Sequence, residues 1–290
     1  MKSTDAKYPI AEKQPKKLVK HRDVRVDNYF WMRLSDEQKL APVKDAHTQK
    51  VINYLEAEND YHDKITAYTK NFEEELFLEM KGRIKEDDAT VPYKDNGYFY
   101  ITRYEKGKQY PIYSRKKEHL KAEEQIMFDV NQMSKGYEYY KLGGLNISPN
   151  NKLAVFATDT VSRRQYFLRI KNLETGEIYK DIIDNTTGGS VWANDNKTIF
   201  YTKKNPVTLR SEKIYRHVLG TPTSDDVEVY HEKDETFGTY VTISKSKKYI
   251  IIGSYSTTST EAQFLEADNP TGEFKILQPR VKDLEYNVAH

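Results

Sequence analysis

Ser190 and Ser254 are the serines that come closest to a nucleophile pattern, because each directly follows a glycine. A serine hydrolase presents its nucleophile on a sharp strand-to-helix turn, usually Gly-x-Ser-x-Gly, where the hydroxyl is exposed beside a base. Neither Gly189-Ser190 nor Gly253-Ser254 is followed by the second glycine or by a helical pattern. We therefore interpret both serines as strand residues and assign no catalytic residue to this chain.

The histidines do not have the spacing of a metal site. Zinc sites use closely spaced histidines or cysteine thiolates, and this chain has no cysteine and no His-x-x-x-His pair. We expect no metal ligands among these residues. The seven histidines are His21, His47, His62, His119, His217, His231 and His290.

Three acidic clusters could in principle supply a pair of catalytic carboxylates. They are Glu73-Glu74-Glu75, Glu86-Asp87-Asp88 and Asp225-Asp226. Neighbouring side chains on a strand point to opposite faces, so an adjacent pair does not converge on one substrate bond as glycoside hydrolysis requires. We interpret the first cluster as the charged start of a helix, the second as a solvated turn and the third as a loop after Pro222.

Two glycine pairs are the remaining candidates for binding chemistry. Gly143-Gly144 and Gly188-Gly189 each begin a repeated segment, and neither follows a strand in the manner of a phosphate-binding loop. Close approach of two backbones explains them better. We therefore expect no cofactor, and these patterns leave the substrate-binding residues unknown.

A repeated segment dominates the rest of the chain. An apolar residue, a polar turn of about five residues, a lysine and an apolar β-prone run start at Ile147, Trp192 and Ile243. A looser copy places Asp95-Asn96-Gly97 before a further strand. Asn, Asp and Ser favour tight turns, and the runs that follow fit buried strands. The starts lie about 45 and 51 residues apart, which is the period of four-stranded propeller blades.

The predicted fold class is therefore mainly β. Short antiparallel strands follow one another to the end of the chain, and residues 284–290 have the pattern of an opening strand. We expect an incomplete β-propeller of about four blades plus the start of a fifth. A sandwich would not explain a repeat of this length.

The N-terminal part has a different pattern. Residues 1–34 are expected to form an extended arm, since Pro9 and Pro15 discourage helix. Helical spacing of apolar residues follows over 44–68, and a second helix is predicted from an N-cap at Asn71 to Gly82. We expect two domains, the arm and helices over 1–83 and the partial propeller over 84–290.

The composition excludes several classes of protein. Lys and Arg number 46 against 44 Asp and Glu, so the charge gives no reason to expect a nucleic-acid partner. No leader-like apolar region follows Met1, and no apolar run is long enough for a membrane span. Together with the absence of cysteine, this predicts a soluble cytoplasmic protein without a membrane partner; a periplasmic protein whose leader was removed is the alternative.

Several unrepeated segments resemble the prolyl oligopeptidase family. The segment from His21 to Arg33, which contains Asp27-Asn28-Tyr29 and Trp31-Met32-Arg33, resembles the opening motif of that family. The segments 79–88, 100–113, 159–166 and 189–195 resemble its oligopeptidase B branch more specifically. The resemblance extends over about 20–290, almost the whole chain.

The resemblance implies a serine oligopeptidase that cleaves short peptides after Arg or Lys. In such enzymes a seven-bladed propeller covers the active site of an α/β-hydrolase domain, and the N-terminal arm and helices pack on that domain. The catalytic residues belong to the C-terminal hydrolase domain, so none can be transferred to this chain. The expected partners are that hydrolase domain and short basic peptides, and the 290-residue chain alone is predicted to be inactive.

Two other functions stay open at this point. A stand-alone propeller could bind a protein or peptide on its surface without any hydrolase domain. A carbohydrate-active propeller would instead carry a pair of carboxylates about 5 to 10 Å apart in an axial pocket.

Overall fold

The computed structural model describes residues 6–290, and the first five residues of the expected arm lie outside the described part. The chain divides into two compact units. The first ends at Lys85 and the second runs from Glu86 to His290. The division falls where the helical pattern of the sequence gives way to strands.

The first unit contains a β-hairpin and three α-helices. Its arm is not extended throughout, because His21 and Arg22 adopt left-handed φ angles of 52° and 69° and form a two-residue turn between paired strands. Trp31 anchors the following segment: its indole nitrogen donates to the carbonyl of Glu12 at 2.8 Å, and its ring packs edge-on against Tyr54 at 6.3 Å. The elements are β1 (Lys16–Lys20), β2 (Asp23–Asp27), α1 (Asp36–Leu40), α2 (Ala46–Thr66) and α3 (Lys70–Gly82).

The prediction that Asn71 caps α3 is wrong. A 3₁₀ turn over Ala67–Thr69 joins α2 to α3, and the residue before α3, Thr69, already has a helical backbone with φ −88° and ψ −15°. An N-cap side chain satisfies amides only where the chain enters a helix from an extended conformation. Because the chain enters α3 from another helical turn, Asn71 lies inside the helix.

The second unit consists of antiparallel blades formed by strands that follow one another in sequence; the first and fourth blades are four-stranded sheets, and the second and third share one seven-stranded sheet. The expected mainly β fold with four blades is confirmed. The first blade contains β3 (Tyr93–Asp95), β4 (Tyr98–Arg103), β5 (Ile112–Lys117) and β6 (Glu124–Asp129), followed by a short helix, α4 (Val130–Met133). The other strands are β7 (Lys141–Ile147), β8 (Leu153–Asp159), β9 (Tyr166–Asn172), β10 (Ile178–Trp192), β11 (Thr198–Lys204), β12 (Ser211–Val218), β13 (Val227–His231), β14 (Gly238–Ile243), β15 (Tyr249–Tyr255), β16 (Thr260–Glu266) and β17 (Lys275–Gln278).

The long strand β10 belongs to two blades. Its first part pairs with β9 as the last strand of the second blade, and its last part pairs with β11 as the first strand of the third. The register shifts between Thr186 and Ser190, across the pair Gly188-Gly189. A Cβ atom on Gly144 would lie 1.8 Å from the carbonyl oxygen of Gly188. This close approach confirms the backbone explanation of the glycine pairs.

The apolar cores lie between blades, since each buried cluster combines side chains from two neighbouring blades. The first and second blades bury Tyr100, Met127, Phe128, Ala154 and Phe156; the second and third bury Val155, Leu168, Ile170, Trp192, Ile199 and Tyr201; the third and fourth bury Val191, Phe200, Ile214, Val241, Ile250 and Ile252.

Residues 284–290 lie along the fourth blade. They form no ladder with the described strands, but the amide of Thr260 donates to the carbonyl of Leu284 at 2.9 Å, and that of Ser246 donates to the carbonyl of His290 at 3.0 Å. The ring of His290 packs edge-on against Tyr249 at 4.9 Å. The predicted opening strand is therefore an extended segment on the fourth blade in this structure.

We expect Leu168→Ala to destabilise the second unit by about 2–5 kcal/mol, because Leu168 is fully buried between the second and third blades and its truncation leaves a cavity. Phe167→Ala is the matched control, since Phe167 precedes it on the same strand and is 38% exposed. Its cost should be about 1 kcal/mol or less. Urea unfolding followed by circular dichroism measures both, and equal losses would contradict the interblade core.

Candidate functional site: inner turns around a cavity

The first hairpin of each blade has a turn with a non-glycine residue in the left-handed region, and in the first blade Gly97 follows it with φ 82°. We call the four turns 95–97, 149–151, 194–196 and 245–247 the inner turns. They contain the polar part of the sequence repeat. The left-handed residues are Asn96 (φ 46°), Asn151 (φ 64°), Asn196 (φ 61°) and Lys247 (φ 60°). Asparagine tolerates this conformation better than most residues, which explains its recurrence in the repeat.

Side chains within the repeat hold the turns against the strands that follow. The hydroxyl of Ser148 accepts the amide of Leu153 at 2.9 Å, and that of Ser244 accepts the amide of Tyr249 at 3.0 Å. Asp195 accepts two amides in the corresponding third turn. The Ser and Asp residues of the repeat are therefore needed for the shape of the turns.

Hydrogen bonds link each inner turn to the next. Asparagine side chains supply the bonds between neighbouring blades, so polar groups take over where the apolar cores end. The bonds are Asn96 Nδ2 to Pro149 O (2.6 Å), Asn151 Nδ2 to Asn96 O (3.0 Å), Asn150 N to Asn196 Oδ1 (2.7 Å) and Asn194 Nδ2 to Lys247 O (3.2 Å).

An ion pair closes this chain of contacts into a ring. The ammonium group of Lys247 in the fourth blade lies 2.7 and 2.8 Å from the two carboxylate oxygens of Asp95 in the first blade. The side chains are 45% and 49% exposed, so water screens the pair and its contribution to stability is about 1 kcal/mol or less.

The ring borders a cavity of about 330 Å³ among the four blades. Aromatic, aliphatic and amide groups form most of its wall. In the described part of the chain, Asp95 and Lys247 are the charged residues that line it. A carbohydrate-active site would need two carboxylates here, and the wall offers one. The cavity is therefore neutral except for one ion pair, and it is the candidate site in this chain. Its lining includes Tyr93, Tyr100, Tyr113, Met127, Asn146 and Trp192.

The two serines considered as nucleophiles lie in strands, as predicted. Ser190 in β10 and Ser254 in β15 are each only 3% exposed. The hydroxyl of Ser254 bonds to that of Tyr230 at 2.9 Å, and the hydroxyl of Ser190 has no hydrogen-bond partner in the described residues. Neither serine contacts a histidine that could act as its base.

His217 has a structural environment that the sequence did not indicate. It is fully buried, with Nδ1 2.6 Å from Asp226 and Nε2 3.3 Å from Asp181 in the second blade. The hydroxyl of Tyr201 donates to Asp226 at 2.8 Å. Burial alone would lower the pKa of His217, but its bonds to the carboxylates outweigh this and raise it. His217 and its two carboxylate partners therefore link the second and third blades through charged hydrogen bonds.

The acidic residues considered as catalytic candidates take part in local structure. Glu86 accepts the amide of Gly107 at 3.3 Å, and Asp225 ends a 3₁₀ turn. Among residues 6–290, no group of three or more histidines and acids is arranged to hold a metal ion. Within the same residues, no helix combines the length and the apolar character needed to cross a membrane.

Replacing Asn196 should separate backbone strain from hydrogen bonding. We expect Asn196→Ala to destabilise the second unit by about 1–3 kcal/mol, since alanine disfavours the left-handed region and the bond to Asn150 is lost. Asn196→Gly keeps the backbone relaxed and should cost about 1 kcal/mol. Thermal and urea unfolding measure both. Equal effects of the two variants would show that the left-handed angle carries no cost.

Stability should decrease above about pH 6.5 because of His217. A raised folded-state pKa means that protonated His217 stabilises the fold fully below its unfolded pKa of about 6.5, and that this stabilisation is lost as pH rises through the folded-state pKa. Free energies of unfolding across pH 5–9 measure the decrease, which His217→Gln should abolish. His231→Gln is the control at a part-exposed position. Parallel curves for wild type and His217→Gln would contradict this role.

Comparison with known proteins gives a consistent result over nearly the whole chain. Residues 8–290 match the family model described as the N-terminal beta-propeller domain of prolyl oligopeptidase. The chain is 38% identical over 300 residues to dipeptidyl aminopeptidase BI of Pseudoxanthomonas mexicana, covering 98% of this chain and 39% of that protein. It is 29% identical over 291 residues to Protease 2 of Moraxella lacunata, covering 98% and 40%.

Solved structures give the same picture. Oligopeptidase B from Leishmania major superposes with a TM-score of 0.85 at 29% identity, over 99% of this chain and 41% of that one. Oligopeptidase B from Trypanosoma brucei, in a closed form with covalently bound antipain, superposes with a TM-score of 0.84 at 26% identity, over 98% and 41%. The chain therefore spans about two fifths of the length of the relatives it matches.

Proposed function

The chain belongs to the prolyl oligopeptidase family through its N-terminal β-propeller domain, and from that premise we propose that it is the propeller portion of a serine oligopeptidase. In this proposal it gates the access of short peptides to a catalytic α/β-hydrolase domain and contributes no nucleophile of its own. The parent enzyme cleaves after Arg or Lys. The observation that carries the proposal is the match of residues 8–290 to the propeller domain of a peptidase family.

The surroundings of the two serines and of His217 support a propeller that contributes no nucleophile. A serine nucleophile needs a base within hydrogen-bond reach and an exposed position. Ser190 and Ser254 are buried in strands, and both nitrogens of His217 face carboxylates. The described residues therefore offer structure and a cavity, and the chemistry would come from the hydrolase domain.

The size of the cavity supports a gating role. About 330 Å³ lies at the lower end of the range for small-ligand pockets. A short extended peptide is compatible with such a space, whereas a folded protein is not. Gating of this kind restricts hydrolysis to small substrates and shields the reaction from bulk water.

The preference for Arg or Lys and the cytoplasmic location stay predictions from the resemblance and the composition. The relatives carry two kinds of name, dipeptidyl aminopeptidase BI on one side and Protease 2 or oligopeptidase B on the other. These names correspond to different products: a dipeptidyl aminopeptidase releases N-terminal dipeptides, whereas cleavage after a basic residue can occur within a peptide. Product analysis distinguishes them.

A chimeric enzyme tests the proposal. Residues 8–290 replace the matched segment of Protease 2, and a fluorogenic Arg-Arg peptide reports hydrolysis, with the unaltered relative assayed in parallel. We expect the isolated 290-residue chain to be inactive and the folded chimera to cleave the basic peptide at least about tenfold faster than an Ala-Ala control. Mass spectrometry of a longer peptide with an internal arginine should show cleavage after that arginine.

Two results would overturn the proposal. Turnover by the isolated chain would mean that a nucleophile lies within these residues. A folded but inactive chimera, beside an active unaltered relative, would favour the stand-alone binding module.

A further inference from the structure

We propose that Asp95 is a binding site for the cationic side chain of a peptide, and that Lys247 occupies this site in the absence of peptide. The inference deepens the proposed gating role and rests on it only for the identification of the ligand as a peptide. The ligand class is a guanidinium or ammonium group on a short chain. The side chain of Lys247 then spans the ring of inner turns until a bound peptide displaces it.

The geometry of the Lys247–Asp95 ion pair allows an incoming cation to replace Lys247. Among the described residues, Lys247 is the one hydrogen-bond donor to the Asp95 carboxylate, at 2.7 and 2.8 Å. The two residues are 152 positions apart in the sequence and belong to the first and fourth blades. Both side chains are about half exposed, so an incoming cation can reach the carboxylate without opening a core. A solvent-screened pair of this kind is weak enough to be displaced.

The surroundings of Asp95 suit a guanidinium group. The rings of Tyr93 and Tyr100 stack at 5.3 Å with an interplanar angle of 21°, and both residues line the cavity beside Asp95. Arginine binds both oxygens of a carboxylate through a planar fork and stacks on aromatic rings, whereas lysine binds as a point charge. An arginine side chain can therefore replace the Lys247 ammonium with better-directed hydrogen bonds.

The backbone of Lys247 gives an independent reason to assign it a role. The equivalent residues of the second and third inner turns are Asn151 and Asn196, and all three are left-handed. Lysine tolerates this region less well than asparagine. The turn itself requires the left-handed angle at this position, so the backbone explains the conformation of Lys247 but not the choice of lysine over asparagine. The contact of that side chain is with Asp95, across the ring.

Peptide binding to the 290-residue chain tests the inference without a hydrolase domain. The probes are a fluorescein-labelled Gly-Arg-Gly amide and its citrulline analogue, which keeps the shape of arginine without the charge. Fluorescence anisotropy gives both affinities at low and high salt. We expect the arginine probe to bind about tenfold tighter at low salt and to lose this advantage at high salt, because the preference is electrostatic.

Variants distinguish the role of Lys247 as a competing cation from the role of Asp95 as the binding site. Lys247→Met should tighten binding of the arginine probe about twofold to fivefold, because the competing cation is gone. Lys245→Met, on the same turn at an exposed position outside the cavity lining, should leave the affinity unchanged. Asp95→Asn should abolish the preference for arginine over citrulline. The double variant Asp95→Asn with Lys247→Met should bind as weakly as Asp95→Asn alone.

The outcomes are decisive in both directions. Equal affinities for the two probes in the folded Lys247→Met variant would overturn the inference, and so would identical effects of Lys247→Met and Lys245→Met. Circular dichroism and unfolding curves establish that each variant is folded. An inactive chimera together with Asp95-dependent peptide binding would remove the gating role and leave the cation site in place.

Discussion

The structure of the second unit depends on the burial of each blade face by its neighbour. A four-stranded sheet has two faces, and a single blade can bury neither by itself. The consequence is clearest in β8, where all seven residues are buried because the strand lies in a sheet that is covered on both sides. Phe156 packs with Phe128 of the first blade, while Val155 joins the cluster with Trp192 of the third. Alternate residues of one strand thus serve two interfaces.

Polar contacts between blades add interactions of defined distance and direction to this apolar packing. His217 lies between carboxylates of the second and third blades, and Arg280 donates to Glu232 at 2.6 Å while its guanidinium lies 3.7 Å from the centre of the Phe237 ring. Burial would raise the pKa of Glu232, but the bonds from Arg280 and other donors hold it below its usual value. Apolar faces can slide over one another, whereas buried charges require their partners at a defined distance. These contacts therefore define how neighbouring blades are aligned.

The sequence was sufficient to predict the features that depend on neighbouring residues. Turn residues followed by β-branched runs predicted the strand pairs, and the repeat predicted the blades. The β1–β2 hairpin was missed because its turn, His21-Arg22, contains neither the glycine nor the asparagine that usually indicates such a turn. The His217 group was missed for another reason. Its members come from separate strands and loops, and no local pattern relates Asp181 to a histidine 36 residues later.

The blades of the second unit are held together in different ways. The second and third blades share β10, so hydrogen bonds of one continuous strand hold them together. The first and second, and the third and fourth, are held by apolar clusters and by bonds between inner turns. Between the first and fourth blades, the described residues form one hydrogen-bonded contact, the solvent-screened pair of Lys247 and Asp95. The other pairs of blades bury an apolar core between them, whereas this contact consists of a single weak ion pair, formed by the only charged residues of the described cavity wall.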